Sequence, residues 1–587
     1  MHASESRSKP FPRAPLAVVA LAAFLASGAR AAQVPSSMPA GPAATADHAT
    51  ASARFQLPLP REPRVVARYL VVLEAALAET DYARAADELA RYRGATVWRW
   101  SGELTVLEAE LRARRPEFLA FVLAPGSIDA NLPRRLVPVL ARLDDDPFVD
   151  CAWGIVTGAT GAEALRFVQN AQRADGNPPS ARKVSATSVQ VDRCLVLRGE
   201  RRAGAEGRAL DQVDLWLTGQ DPLWRATVEA NRGEQAGAAL VEWGHCGDSQ
   251  GIWLFSMYRN MDASKHWPFD PARVGHDPAG EMPRLTPELL LGGAPTIDRN
   301  GCWSAGAGVD LGGAVVINGA CHSAVTKRTI VGGDIVSTFG DTGGVVRFFD
   351  VTPEQSFALQ AIRHGAAAYL APLAANHASR ASIEEWRIRA GGVPLGEVVR
   401  RSYDELVLGA SQLPMAFATY AEGKPDPFES PMWTGVVQRV LFGDPAACVW
   451  TEPILTPHRV TTEWVEPGRK LRVDVAWENL REDPFVWDPW VQAWPSEPRD
   501  RVYERVPLGA DVGAIAKVTV VKAETGGGAS LDLLKSEPKA MLDRDAAGKP
   551  VLHVIARWPR LESKDGQPAL PKRVRFLFEV EFTPRDG

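Results

Sequence analysis

Short apolar runs that end in glycine or another small residue recur along much of the chain. They include "PEFLAFVLAP" (116–125), "AALVEWG" (238–244), "GAVVINGA" (313–320) and "GAAAYLAP" (365–372). Continuous apolar positions are typical of strands covered on both faces, as in a parallel sheet. Between the early runs, "YARAADELARYRG" (82–94) has apolar residues at helical spacing. The pattern predicts an α/β fold, with a mostly parallel sheet flanked by helices.

After about residue 450 the pattern becomes alternating. In "RKLRVDVAWENL" (469–480) and "RVRFLFEVEFTP" (573–584) every second residue is apolar. A period of two indicates strands with one face on a core and the other towards water. Turn-rich joints separate these strands, so residues 450–587 are predicted to form an immunoglobulin-like β-sandwich. We expect this sandwich to stabilise or orient the preceding layer.

The start of the chain has the pattern of a secretory signal. A basic beginning precedes a short apolar core (14–27), and "ARA" (29–31) offers small residues at a cleavage position. The core is too short for a comfortable transmembrane span. We therefore expect residues 1–31 to be a signal peptide and the protein to be exported, periplasmic or secreted, with no stable membrane span.

The remaining chain is divided by changes in composition. Residues 32–62, rich in Ala, Pro, Ser and Thr, are predicted to be a disordered spacer. An N-terminal α/β subdomain (63–185) and a second α/β subdomain (186–449) are expected to follow, ahead of the sandwich.

Charge and cysteine content exclude several classes of function. The formal net charge is −5, and removal of the signal peptide would make it more negative because that segment is basic. No basic stripe is present, so nucleic acid is not expected as a partner. The six cysteines include no CxxC pair, which argues against a zinc ribbon or a thioredoxin-type site. Disulfide pairing stays open.

Two reactive residue types follow two of the apolar runs. His245 comes directly after the run ending at Gly244, and Cys321 directly after the run ending at Ala320. In open α/β sheets ligands bind outside the carboxyl ends of the strands. A cysteine hydrolase needs a thiolate, a nearby imidazole and hydrogen-bond donors for the oxyanion. His245 and Cys321 would meet the first two needs if their strands are neighbours.

The amino-acid sequences around His245 and Cys321 add to this pattern. "LVEWGHCGDSQGIW" followed by "VVINGACHS" resembles the paired blocks of the gingipain-like cysteine peptidases of the caspase-like clan. Further resemblance is carried by "DPFVDCAWGIVTGATGAEAL" (146–165), "GAAAYLAPLAA" (365–375) and "LFGDPA" (441–446). The similarity spans about residues 145–448 and continues weakly into the β-rich end.

The resemblance implies an exported cysteine endopeptidase with a caspase-like fold, in which residues 186–449 are the caspase-like catalytic subdomain. It assigns the nucleophile to Cys321 and the general base to His245. The oxyanion and cleft positions it implies are Gly244, Cys246, Gly247 and Ala320. It implies a protein or peptide substrate and no required cofactor, although Ca²⁺ binding is a property of the family for which no ligands can be named here.

The sequence departs from the family pattern at four points. Cys246 replaces the glycine that usually follows the histidine, Ile155 replaces an arginine, and His322 directly follows Cys321. The histidine and the cysteine are also 76 residues apart. The intervening stretch (257–303) is expected to be an insertion, a lid or a specificity loop.

Other interpretations remain open. The protein could be an inactive envelope binding protein that keeps the fold, or a transpeptidase that resolves the same acyl-enzyme with an amine. A disulfide between Cys246 and Cys321 would favour the inactive form. A zinc site from His245, Cys246, Cys321 and His322 is awkward, because adjacent residues of an extended chain point in opposite directions. His364, although followed by glycine, is expected to be a helix-end residue.

Overall fold

The structure is a computed structural model that describes part of the chain. The described residues are 62–129, 131–176, 240–243, 247–248, 251–253, 284–285, 296–297, 303–304, 311–318, 323–331, 347–353, 356–373, 384, 387–388, 391–409, 436–449, 459–478, 501–526, 537–557, 561–562, 568–569 and 573–584. The predicted signal peptide and nearly all of the predicted spacer lie outside them. No helix within these ranges is long and apolar enough to cross a membrane.

The strands before residue 450 are, in chain order, β1 (Tyr69–Glu74), β2 (Thr96–Trp100), β3 (Phe118–Val122), β4 (Ala152–Val156), β5 (Leu240–Trp243), β6 (Gly247–Asp248), β7 (Gly251–Trp253), β8 (Arg284–Leu285), β9 (Thr296–Ile297), β10 (Trp303–Ser304), β11 (Val315–Asn318), β12 (Arg328–Val331), β13 (Arg347–Asp350), β14 (Ala368–Pro372) and β15 (Arg439–Phe442). Eight of them form one sheet in the order β2-β1-β3-β4-β15-β14-β11-β5. The others form a small sheet, β6-β7-β8-β10-β9, and the pair β12-β13.

The eight-stranded sheet consists of two parallel blocks that run in opposite directions. The strands β2, β1, β3, β4 and β15 are parallel to one another, as are β14, β11 and β5. The pairing of β14 with β15 is antiparallel. The prediction of a mostly parallel sheet is confirmed, and the sheet is continuous across the predicted boundary at residue 185. Continuous apolar runs supply buried residues to both faces, as β3 and β4 show.

Helices cover this sheet, and several of them are preceded by a residue whose side chain caps the N-terminus of the helix. They are α1 (Asp81–Arg93), α2 (Leu104–Arg114), α3 (Asn131–Leu140), α4 (Gly161–Ala174), α5 (Phe357–Arg363) and α6 (Leu395–Gly409). The hydroxyls of Thr80, Thr160 and Ser356 accept hydrogen bonds from backbone N–H groups in the first turns of α1, α4 and α5. Glu163 of α4 pairs with Arg363 of α5 at 2.9 Å, which ties early and late parts of the chain together.

The junction between the two chain halves depends on a close backbone approach. β15 meets β4 where Phe442 pairs with Ile155, and the N–H of Gly443 donates to the carbonyl of Ile155 at 2.8 Å. A Cβ atom on Gly154 would lie 2.6 Å from the carbonyl oxygen of Gly443. Gly443 itself has a φ of 137°, which favours glycine. Both glycines are therefore needed for β15 to lie against β4.

The C-terminal strands form two antiparallel sheets around a second core. They are β16 (Arg459–Glu466), β17 (Lys470–Glu478), β18 (Arg501–Pro507), β19 (Ile515–Thr525), β20 (Lys539–Arg544), β21 (Pro550–Arg557), β22 (Leu561–Glu562), β23 (Pro568–Ala569) and β24 (Arg573–Phe582). One sheet has the order β16-β17-β24-β19 and the other β18-β21-β20, whereas β22 and β23 form a separate antiparallel pair. The alternating residues of β17 and β24 point into the core that these sheets share. The predicted strands at both places are confirmed.

The smaller C-terminal sheet also packs against the α/β layer. Tyr503 and Ile555 belong to the first core, whereas their strand neighbours belong to the second. The imidazole of His553 stacks on the ring of Phe148, with 3.8 Å between centroids and 9° between planes. Arg401 of α6 pairs with the buried Glu504 at 3.4 Å. One sheet thus contributes to two cores.

Carboxylates are concentrated where these two parts meet. His553 accepts at Nδ1 from the Tyr503 hydroxyl (2.8 Å) and donates at Nε2 to Asp543 (3.0 Å), an arrangement that suits a neutral imidazole. Burial lowers the pKa of His553 to about 4. Burial and the adjacent charge of Asp543 raise the pKa of Asp146 to about 10, so Asp146 holds a proton at neutral pH.

Gly154→Ala is expected to destabilise the protein by about 1–3 kcal/mol, because the new methyl group meets a backbone carbonyl that cannot move independently. Urea unfolding measures the change. Gly126→Ala is the matched control, since a Cβ atom there meets no atom within 4 Å. Equal stability of the two variants would contradict the close approach of β15 to β4.

Asp146→Asn is expected to flatten the pH dependence of stability. The unfolded aspartate loses its proton near pH 4, while the folded one keeps it until about pH 10. Its contribution to stability is therefore fully present below pH 4 and declines as the pH rises, by at most about 1.4 kcal/mol per pH unit. Asparagine cannot ionise and removes this decline.

The measurement is urea unfolding at pH 5 and pH 8 for both proteins. Asp145→Asn, which changes an exposed neighbouring carboxylate, should follow the wild type. Parallel pH profiles for Asp146→Asn and the wild type would show that Asp146 does not hold the extra proton.

Candidate active site at the ends of two neighbouring strands

The strands that precede His245 and Cys321 lie side by side. β5 and β11 are parallel, with Ile317 paired to Glu242 and Asn318 paired to Trp243. Since parallel strands end at the same edge of a sheet, the chain leaves both strands at one edge. The condition set by the sequence, that these two strands be neighbours, is met.

Most of the predicted site residues lie outside the described part of the chain. These are Gly244, His245, Cys246, Ala320 and Cys321. Gly247 begins β6, where it pairs with Ile252 of β7. The structure therefore describes the strands that lead to the site, and the roles of the predicted residues stay predictions.

The other positions singled out from the sequence fall in ordinary structural settings. His364 is the C-terminal cap of α5, as predicted, and its N–H donates to the carbonyl of Gln360. Ile155 is fully buried in the middle of the sheet. Asp444, the acid of the Gly-Asp-Pro segment, accepts from the Tyr69 hydroxyl at 2.8 Å and from Arg93 Nε at 2.7 Å. A buried ion pair is thus the setting of that segment.

A buried tyrosine connects the two ends of the segment that carries Cys321. Residues 319–322 are preceded by Asn318 and followed by Ser323. The hydroxyl of Tyr369 in β14 accepts from Asn318 Nδ2 and donates to the carbonyl of Ser323, both at 2.9 Å. All three residues are almost fully buried. The segment thus begins and ends at hydrogen bonds to one oxygen atom.

An arginine at the start of β15 lies beneath the same edge. Arg439 donates from Nη1 to the carbonyl of Asn318 at 3.2 Å, and from Nε to Glu384 at 2.7 Å. Its side chain and that of Glu384 are almost completely buried. Charge-assisted hydrogen bonds between two buried groups fix the positions of those groups relative to each other. The hydroxyl of Tyr403 in turn donates to the Arg439 carbonyl at 2.6 Å.

The chain after Ser323 is also held in place. The N–H of Ala324 donates to the carbonyl of Pro372 at 2.9 Å. Thr326 Oγ1 donates to the carbonyl of Pro125 at 2.7 Å, and Ser356 Oγ to that of Val325 at 2.6 Å. The exit from the Cys321 segment is therefore bound to the sheet edge and to the first half of the chain.

One of the two described cysteines has a setting that does not suit a nucleophile. Cys151 is completely buried beside β4, and burial raises the pKa of its thiol far above the usual range. A thiol that stays protonated is a poor nucleophile. Cys448 is partly buried, and its backbone N–H donates to Asp175 at 2.9 Å.

Three carboxylates could hold a cation. Oxygen atoms of Asp144, Asp146 and Asp543 lie within 4.8 Å of one another. Carboxylate oxygens are the ligands that Ca²⁺ prefers. However, Asp543 is already hydrogen-bonded to His553, and Asp146 holds a proton at neutral pH. These carboxylates lie where the β-sandwich meets the α/β layer, so they fit a structural role better than a catalytic one.

Sequence patterns did not reveal the polar residues below the candidate site. Asn318 is the polar end of an apolar run, and Tyr369 is the one hydroxyl-bearing residue in an alanine-rich strand. These two features are the signals in the sequence by which the two residues could have been found. Arg439 and Glu384 carried no such signal, because 55 residues separate them and only the fold brings them together.

Comparisons with known proteins give little further guidance. No protein-family model matches the sequence, and no curated protein matches it significantly. Among solved structures, the chain is similar to the complex of the RgpB pro- and mature domains from Porphyromonas gingivalis. The identity is 12%, the alignment covers 84% of this chain and 93% of that one, and the TM-score is 0.28. A similarity this low establishes neither a shared fold nor a shared activity.

Proposed function

We propose that the protein is a cysteine endopeptidase in which Cys321 is the nucleophile and His245 the general acid and base. The observation that carries this proposal is the pairing of Asn318 with Trp243 at the ends of two parallel strands. Cys321 follows the first strand by three residues, and His245 follows the second by two.

Chain reach supports this assignment. Neighbouring strands are about 4.8 Å apart, and an extended chain advances about 3.4 Å per residue. Two and three residues are thus enough to bring an imidazole and a thiol from adjacent strand ends into hydrogen-bond range. The burial of Cys151 also leaves fewer candidates for the nucleophile.

The chemistry would proceed through an acyl-enzyme. His245 takes the proton of the Cys321 thiol, and the thiolate attacks the scissile carbonyl carbon to form a tetrahedral oxyanion. Backbone N–H groups near Cys321 and Cys246 would stabilise the oxyanion. The C–N bond then breaks while the imidazolium gives its proton to the leaving amine. Water, deprotonated by His245, hydrolyses the thioester and restores the thiol.

The proposal extends to architecture and compartment. A caspase-like arrangement of the α/β layer and an immunoglobulin-like arrangement of the C-terminal sheets are consistent with the parallel blocks and the antiparallel sandwich. The signal-like N-terminus supports export. A protein or peptide would be the substrate.

The test is the rate of cysteine alkylation by iodoacetamide as a function of pH, with mass mapping of the labelled residue. Because an imidazolium stabilises a thiolate, Cys321 should be labelled rapidly near neutral pH. We expect His245→Ala to slow this labelling at pH 7 by about tenfold or more, and Cys321→Ala to abolish it together with cleavage of an unfolded protein substrate.

Cys448→Ala is the control, since its loss should leave the labelling of Cys321 unchanged. Slow labelling that His245→Ala does not alter would contradict the proposal. A Cys246–Cys321 disulfide in the exported protein would also contradict it, and would favour an inactive binding protein. Products joined to an added amine rather than to water would identify a transpeptidase.

A further inference from the structure

We propose that Tyr369 is a positioning residue that holds the segment carrying Cys321 and thereby sets the reactivity of its thiol. The second part rests on the proposed function. The first part, that the hydroxyl fixes both ends of residues 319–322, rests on the described contacts alone.

The geometry of the hydroxyl suits this role. Its one hydrogen is donated to the carbonyl of Ser323, and its oxygen accepts from Asn318 Nδ2. A phenolic group has one donor and can accept at the same time, so a single side chain serves both ends. The two contacted residues are separated only by residues 319–322.

The sheet register explains why a tyrosine in β14 can reach this edge. Tyr369 is paired with Val316, two residues before Asn318. Residues two apart in a strand share a face, so Asn318 and Tyr369 lie on the same face of the sheet. The long phenol side chain covers the distance along the strand. The rest of the ring is fixed by packing, including the ring of Phe442 at 6.3 Å between centroids.

Burial makes the hydroxyl a rigid support. Tyr369 is completely buried, and burial raises the pKa of its phenol far above the usual range, so it stays protonated and able to donate. Arg439 donates independently to the backbone carbonyl of Asn318. Hydrogen bonds from two different side chains therefore hold the first end of the segment. At the second end, the N–H of Ala324 also donates a hydrogen bond to the carbonyl of Pro372 in β14.

Tyr369→Phe removes the oxygen and keeps the ring. Two readouts are expected to change. Hydrogen–deuterium exchange should rise in peptides that cover residues 319–322 and stay as in the wild type in the interior of the sheet. The midpoint pH of Cys321 alkylation should rise by about one unit, because a displaced thiolate loses its imidazolium partner.

Tyr503→Phe is the matched control. It makes the same chemical change at an equally buried tyrosine, whose hydroxyl contacts His553 instead. This variant should leave both readouts at the wild-type values. Asn318→Ala, which removes one of the two contacts, should change the readouts in the same direction as Tyr369→Phe. Circular dichroism verifies that each variant is folded.

Wild-type exchange and midpoint values in Tyr369→Phe would overturn the proposal. So would an exchange increase spread evenly over β11 and β14, because the hydroxyl would then stabilise the sheet in general. The wild-type alkylation profile separates this proposal from the proposed function. If wild-type Cys321 has an ordinary thiol midpoint, the proposed function fails, while the exchange experiment still decides whether Tyr369 holds the segment.

Discussion

The two-sided pairing of β15 is the constraint on which the rest of the α/β layer depends. This strand comes late in the chain, yet it lies between β4 and β14 and joins two blocks that run in opposite directions. Buried ion pairs lie near both ends of the strand. Arg439, its first residue, pairs with Glu384, and Asp444, two residues after its end, pairs with Arg93. Breaking a buried pair by removing one partner costs about 3–5 kcal/mol. The strand therefore cannot slip in register without separating charges that have no access to water.

The same strand determines how the candidate site is supported. Because β15 is antiparallel to β14, its first residue lies at the edge where β14 and β11 end. Arg439 can therefore contact the carbonyl of Asn318, while Tyr369 contacts its side chain. Three strands thus converge on one asparagine at the start of the Cys321 segment. A nucleophile needs a fixed position relative to its base, and packed strand ends provide more precise positions than free loops.

Patterns of neighbouring residues predicted the parts of the fold that depend on local sequence. Continuous apolar runs identified β3, β11 and β14, and alternation identified β17 and β24. The continuity of the sheet across residue 185 could not be predicted, because nothing within "RVLF" indicates that this strand pairs with β4. The candidate site was likewise predictable only in those features that depend on neighbouring residues. The sequence indicated two strand ends followed by a histidine and a cysteine, whereas the hydroxyl and guanidinium below them act across 51 and 121 residues.

The shared sheet of the C-terminal region has a consequence for the order of folding. Strands β18, β20 and β21 complete the second core on one face and cover the first core with Tyr503 and Ile555 on the other. The second core also needs β24, which follows every other described strand and occupies a central place between β17 and β19. During synthesis β24 therefore leaves the ribosome after every other described strand. The earlier layer would then remain partly uncovered until β24 has been synthesised, and the shared sheet would complete both cores in one concerted step.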